Sequence, residues 1–389
     1  MSHLYQSYVD HLEVLKQKNN YRFFKKLQHD GQMITVQFPH QNKTMLNLSS
    51  NDYLGLAQRR ALKQQFLDEY PLHTQHFSSS SSRLLTGNFE EYERLEHTLN
   101  QAFGRDSLIF NSGYHMNIGI LPALTNQNSL IISDELIHAS IIDGIRLSKA
   151  KRERYLHQDL NQLEQLIITA MQDDTIDKIF IVTESIFSMD GDMTDLTAFV
   201  QLKQKYSKVL LYVDDAHGVG VYGEKGLGCA EHFNCIHDID FLVGTFGKAL
   251  ASVGGYLICD TVIRDYLINT MRSLIFSTAQ APINMAWTDF IFQKMQQYQQ
   301  KRQHLQQLSH DLKQSILQRG LNCPSDSHIV PVIYGENHIA IEKANIMQDA
   351  GFYVLPIRPP TVAVGTARVR ICLNAELNLS QIEPLFKLL

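Results

Sequence analysis

Three short runs carry most of the reactive chemistry in this chain. Val209-Leu210-Leu211-Tyr212-Val213 is apolar and ends in Asp214-Asp215-Ala216-His217. Phe241-Leu242-Val243 is apolar and ends in Gly244-Thr245-Phe246-Gly247-Lys248. Asn111-Ser112-Gly113-Tyr114-His115-Met116-Asn117 follows another apolar run and opens a helical pattern. A lysine beside a glycine, just past a buried run, is poorly placed for a solvated surface. Desolvation lowers the pKa of such an amine and makes it nucleophilic, as Schiff-base chemistry requires. Taken alone, Lys248 also reads as a lysine capping a loop.

Two weaker signals accompany these runs. His138 leaves an apolar run through Ser133-Asp134-Glu135-Leu136-Ile137, where its ring can lie flat on another ring. Its bland reading is a core or helix-start histidine. Ser188, in Ser185-Ile186-Phe187-Ser188-Met189-Asp190-Gly191-Asp192, and Thr245 offer hydroxyl donors.

The elements that must position these groups follow from hydropathy. Ser107–Phe110, Ser129–Ile132, Lys178–Thr183, Val209–Val213, Asp240–Val243 and Gly255–Cys259 read as short strands. Amphipathic stretches such as 89–103, 161–171 and 196–206 lie among them. That alternation predicts a mainly parallel α/β sheet covered by helices on both faces. Ligands of such sheets bind beyond the carboxyl ends of the strands. Gln-rich Met295–Arg319 reads as one long helix stopped at Gly320, followed by strands near 329–333, 352–356 and 369–373 and a helix at 339–350. The expected organisation is an amino-terminal helix and arm over 1–47, a large domain over 48–287 and a small α/β domain over 288–389.

Composition excludes several classes. The 389 residues carry 35 Lys+Arg against 40 Asp+Glu, a net charge of -5 without long charged blocks. Neither nucleic acid nor an anionic membrane is suggested as a partner. No apolar run reaches the ~18 residues of a membrane helix. The polar amino terminus argues against a signal peptide, and Leu4, Tyr8, Leu12 and Leu15 mark one face of a helix. Five scattered cysteines suit a reducing cytoplasm. Gly218-Val219-Gly220-Val221-Tyr222-Gly223 matches a dinucleotide fingerprint, but Gly226 and Gly228 follow where a helix should open. Cys229, His232, Cys235 and His237 lack paired zinc spacing, so a short helix carrying Cys229 and Phe233 into the core is preferred. Asn47-Leu48-Ser49 fits a glycosylation triplet without a cytoplasmic use.

Lysine, carboxylate, histidine and a helix start suited to phosphate together describe a pyridoxal-phosphate site, with no metal called for. The chain also resembles the α-oxoamine synthase family of fold-type I pyridoxal-phosphate enzymes. The resemblance rests on Ser50–Leu56, Ser82–Asn88, Asn111–Asn117, His138-Ala139-Ser140 and Thr183–Asp192. It continues through Val213–Gly218, Thr245–Lys248, Ile357-Arg358-Pro359-Pro360-Thr361 and Gly365–Arg370.

The resemblance implies a large pyridoxal-phosphate domain on a mainly parallel seven-stranded sheet, a small α/β carboxyl-terminal domain, and a homodimer with shared active sites. Lys248 would form the internal aldimine and later move the α-proton. Asp214 would pair with the pyridine nitrogen, His217 would reach the ring hydroxyl and His138 would stack on the ring. Gly113, Tyr114, Ser188 and Thr245 would hold the cofactor, with Ser277 and Thr278 reaching the neighbouring subunit's phosphate. Arg370, beside Asn51, would clamp an amino-acid carboxylate; Arg22, Arg358 and Thr361 would face an acyl substrate. The implied reaction is decarboxylative condensation of L-alanine with a pimeloyl thioester, on coenzyme A or a carrier protein. The alternative is glycine with an acetyl thioester. A dehydrogenase and a catalytically dead partner subunit are the rivals from other classes. The family usually carries glycines where this chain has Ser78-Ser79-Ser80-Ser81, which leaves that loop's shape open.

Overall fold

The structure, a computed structural model, describes residues 3–37 and 42–389. Residues 1–2 and 38–41 of the expected amino-terminal arm lie outside them. The chain forms two compact units, one of residues 51–188 and 192–303, the other of the described residues up to Ser50 with 189–191 and 304–389.

The first unit is built on a seven-stranded sheet. Its order is Asp106–Phe110, Gly255–Cys259, Phe241–Thr245, Val209–Asp214, Lys178–Glu184, Ser129–Asp134, Lys151–Tyr155. Only Gly255–Cys259 runs antiparallel, against both of its neighbours. The central strands are continuous β-branched and aromatic runs because helices bury both sheet faces. Ile179, Ile181, Val182, Leu211, Tyr212, Val213 and Val243 are all inaccessible. The parallel direction brings Phe110, Asp134, Glu184, Asp214 and Thr245 to one end of the sheet, where the chemistry-bearing loops begin.

Sequence reading missed the strand Lys151–Tyr155. Lys151, Arg152, Glu153 and Arg154 are exposed and only Tyr155 is buried. An edge strand needs no apolar pattern, and charge there protects it from further pairing.

Helices dock where local signals start them. Ser112, Asp159 and Asp195 cap the helices Gly113–Leu124, Leu160–Met171 and Leu196–Lys205 with side-chain oxygens. Gly144 lies where the helix Ala139–Leu147 crosses Gly113–Leu124. A Cβ there would sit 2.4 Å from the Asn117 carbonyl oxygen, a backbone atom that cannot step aside. Gly144→Ala is therefore expected to cost about 1–3 kcal/mol. A melting-temperature comparison checks this, and an unchanged value would refute the packing argument.

In the other unit, Leu27–Asp30, Met33–Gln37 and Asn42–Asn47 form an antiparallel meander extended by Phe352–Tyr353. Ile329–Gly335, Ala367–Cys372 and Leu355–Ile357 form a second sheet beside the helix Asn337–Asp349. A separate helix, Pro282–Met295, precedes the long helix expected over 295–319, which is Gln299–Leu317. The unit boundary falls inside the second. Leu305, Leu308, Leu312 and Ile316 are buried on it at the spacing that predicted it. The amino-terminal helix Gln6–Gln17 buries none of its residues, and Leu4, Tyr8 and Leu12 are exposed.

Candidate active site

Lys248 Nζ lies 2.8 Å from His217 Nε2, and His217 Nδ1 lies 2.7 Å from the Tyr53 hydroxyl. Tyr53 donates onward to Asn51 Oδ1 at 3.1 Å. The chain of donors has one direction. The lysine donates to Nε2, Nδ1–H donates to the phenol oxygen, and the phenol proton goes to the amide.

Asp214 is held independently. Its Oδ2 accepts from Asn117 Nδ2 at 2.9 Å and its Oδ1 from the Ala216 N–H at 3.0 Å. Asn117 sits one turn into the helix Gly113–Leu124, so it shares a face with the helix start. Its amide is fully used, donating also to Ser140 Oγ at 3.0 Å and accepting from Tyr212 OH at 2.6 Å. Ser140 Oγ in turn lies 2.7 Å from His138 Nδ1, which also accepts from the Ser140 N–H. With Nδ1 accepting, the His138 ring proton resides on Nε2. His138 is thus the cap of the helix Ala139–Leu147, as its helix-start reading had it. Partial enclosure lowers its pKa, the Asp214 carboxylate opposes that, and the Lys248 ammonium adds to it.

Glu184 pairs in register with Asp214 on the adjacent strand and is fully buried. Burial first, and the Asp214 charge second, push its pKa well above the usual carboxylate range. Asp215 faces away from this network. It accepts from Ser185 Oγ and, at 3.2 Å, from the Ala230 N–H, and burial raises its pKa to about 6. The adjacent aspartates thus have separate jobs.

At the start of the helix Gly113–Leu124, an ideal Cβ on Gly113 would lie 3.7 Å from Thr245 Cβ. Thr245 Oγ1 bonds the Gly254 carbonyl and the Gly247 N–H. Asn111 donates to Ser277 Oγ at 2.9 Å and to the Thr278 carbonyl at 2.8 Å, so this pair lies beside its own chain's helix start. The Tyr114 phenol turns to Asp143, which leaves its backbone N–H at the helix start.

Arg22, Arg358 and Thr361 come together in the other unit. Arg22 donates to Thr361 Oγ1 at 2.9 Å, and Arg358 to the Asn19 carbonyl. They line an open cavity of about 580 Å³ with Lys25, Phe23, Ile341, Leu355, Pro356 and Ile357. Among the described residues, no carboxylate lines it. Burial, then the neighbouring Arg22 charge, lowers the Arg358 pKa, and burial lowers that of Lys25. Arg370 lies on Ala367–Cys372, in register with Leu355 of that cavity.

Tyr53, Asn117, Ser140, Glu184 and Lys25 escaped sequence reasoning. All but Lys25 lie inside the quoted motif runs; only the helical spacing of Asn117 from Gly113 pointed to its use. The decoys resolve simply. No helix opens at Gly223, and Gly220, Gly223, Gly226 and Gly228 all take positive φ. Cys229 and Cys235 are buried, whereas Phe233 is half-buried against the His232 ring rather than in the core. That short helix is too brief to carry Phe233 inward. Of the four serines replacing glycines, only exposed Ser80 is left-handed, at φ 50°. Ser79 is buried and donates to the Ala279 carbonyl at 2.6 Å.

Comparison with known proteins now gives this site a class. The family model for class I and II aminotransferases matches residues 43–389. The Haemophilus ducreyi protein named 8-amino-7-oxononanoate synthase is 54% identical over 387 residues, covering 97% of this chain and 98% of that one. The crystal structure of 8-amino-7-oxononanoate synthase from Francisella tularensis superimposes with a TM-score of 0.74 at 27% identity, covering 88% of this chain and 96% of that one. Serine palmitoyltransferase from S. paucimobilis, with a bound PLP-myriocin aldimine, gives 0.87 at 23% identity, covering 99% and 96%. The fold is that of the fold-type I pyridoxal-phosphate transferases. The chain belongs to the class I and II aminotransferase family and, within it, to the 8-amino-7-oxononanoate synthase group. It is an enzyme and its cofactor is pyridoxal 5′-phosphate. The residues present fit that group: an amine at Lys248, a held carboxylate at Asp214 and a helix start beside Thr245.

Proposed function

We propose that the enzyme condenses L-alanine with a pimeloyl thioester, releasing carbon dioxide and the free thiol carrier and forming 8-amino-7-oxononanoate. The observation that carries this reading is the cavity bearing Arg22, Lys25 and Arg358, with no carboxylate among the described residues that line it. Three cations above an aliphatic wall suit an acyl chain that ends in a carboxylate, which pimeloyl has and acetyl lacks. Thr361 holds Arg22 in place.

Bound pyridoxal phosphate supplies an electron sink for the carbanion formed at the amino-acid α-carbon. Everything else falls to the chain. Lys248 takes the α-proton from alanine and returns a proton at the end. His217, backed by Tyr53 and Asn51, fixes the amine's direction. Asp214, oriented by Asn117, provides a negative charge that keeps a ring nitrogen protonated. His138 offers a flat ring and Arg370 a bidentate guanidinium for the alanine carboxylate. Gly113, Tyr114, Ser188 and Thr245 hold the cofactor, and Ser277 with Thr278 serve the phosphate across a homodimer. Five buried, unpaired cysteines suit the cytoplasm as the working compartment. Among the described residues, no helix is long and apolar enough to cross a membrane.

Steady-state kinetics with a thioester panel tests the reading. Arg358→Ala is expected to raise KM for the carboxylate-ended thioester about tenfold or more, the loss of one charge-assisted contact. For a methyl-ended chain of equal length it should change little. Equal losses on both, or faster turnover of glycine with an acetyl thioester in the unaltered enzyme, would overturn it.

A further inference from the structure

We propose that His157 is a positioning residue that ties together the two loops carrying His138 and Ser188. The inference rests on the reading that Ser188 holds the cofactor. His157 Nδ1 lies 3.0 Å from the Asp134 carboxylate and Nε2 lies 2.8 Å from Asp192 Oδ2. Asp134 closes the strand Ser129–Asp134, four residues before His138, and its Oδ1 also accepts from the Leu136 N–H at 2.8 Å. On the other side, His157 grips both stems of the turn containing Ser188. Its ring meets Phe187 edge-on at 4.4 Å between centroids, and its Nε2 bonds the Asp192 side chain. The stems are joined by Phe187 N–H to the Asp192 carbonyl and by the bridge between Ile186 and Met193.

A neutral imidazole carries one N–H and can satisfy only one of the two carboxylates; the imidazolium donates to both. The geometry therefore selects the charged ring. Burial opposes that charge, but the hydrogen bonds and charges of Asp134 and Asp192 outweigh it and hold the pKa at about 10. The other groups facing the ring agree in sign. Glu135 accepts the His157 backbone N–H at 3.1 Å, and the Gln158 backbone and amide bond Asp134 and Asp192 without adding charge. Asp134 is inaccessible, so removal of His157 leaves a buried carboxylate without its cation. No atom of His157 need touch the cofactor for this to matter.

The test is the dissociation constant of pyridoxal 5′-phosphate, titrated by visible absorbance and induced circular dichroism into the stripped chain. The unaltered protein, His157→Gln, Ser188→Ala and the double variant are compared. Each single change is expected to weaken binding about tenfold, and the double variant to be no weaker than Ser188→Ala by more than about twofold, because the two act through one loop. Losses that multiply in full, or a His157→Gln chain that binds as tightly as the original, would overturn the proposal. If Ser188→Ala alone binds normally, the placement of Ser188 at the cofactor fails first and the inference goes with it. Should His157→Gln not fold, judged by the melting of the stripped chain, Asp192→Asn keeps the shape and removes one charge, with the same outcomes.

Discussion

Lys248→Ala is expected to lower turnover by about 10⁴-fold, the upper end of the range for a lost acid–base group. Borohydride reduction should fix a pyridoxyl group to the unaltered enzyme, at the peptide containing Lys248, and to no peptide of the variant. Lys248 meets the His217 imidazole, which is backed by the Tyr53 phenol and the Asn51 amide, each a directing group rather than a primary amine. Folding should survive, since the truncated side chain is part-exposed and leaves His217 still bonded to Tyr53. Label found on another lysine, or activity within tenfold of the original, would sink the assignment of the nucleophile.

Asp214→Asn is expected to cut kcat about 10³-fold, the scale seen when one preorganised electrostatic contact is lost. The substitution keeps the shape and removes the charge. Asp215→Asn is the control, because Asp215 is turned to Ser185 and the Ala230 N–H and supports the fold beyond the strand. It should lower the melting temperature while leaving turnover per folded chain within about twofold. If Asp215→Asn loses more kcat than Asp214→Asn, the two roles are reversed and the reading of the site is wrong.

The charged His157 gives a pH dependence with a definite sign. Its folded pKa of about 10 is raised above the ordinary value of 6.5. Its stabilisation is therefore fully present below pH 6.5 and is lost as pH rises through about 10. Allowing for its partial exposure and its coupling to two carboxylates, the contribution is roughly 2–3 kcal/mol. The melting-temperature advantage of the unaltered chain over His157→Gln should shrink steadily from pH 6.5 to 10. An advantage that grows over that window would show that the ring is neutral when folded.

Much of the site was readable from local patterns. Val209–Val213 and Phe241–Val243 announced buried strands, and parallel sheets gather strand ends, so Asp214, His217 and Lys248 had to fall near one another. The helix opening within Asn111–Asn117 was legible too, and the Ser112 oxygen that caps it acts between adjacent residues. The charged edge strand Lys151–Tyr155 was illegible because its outer position removed the hydropathy that marks the others.

The sequence by itself determined the reactive groups, their order and the strand ends that carry them, since burial periodicity and capping are encoded within a few residues. Only the tertiary structure decided which oxygen or nitrogen each group meets. Asn117 reaches Asp214 across 97 positions and Arg22 reaches Thr361 across 339. Such pairs depend on how whole elements dock, and docking is set by packing of surfaces rather than by any local pattern.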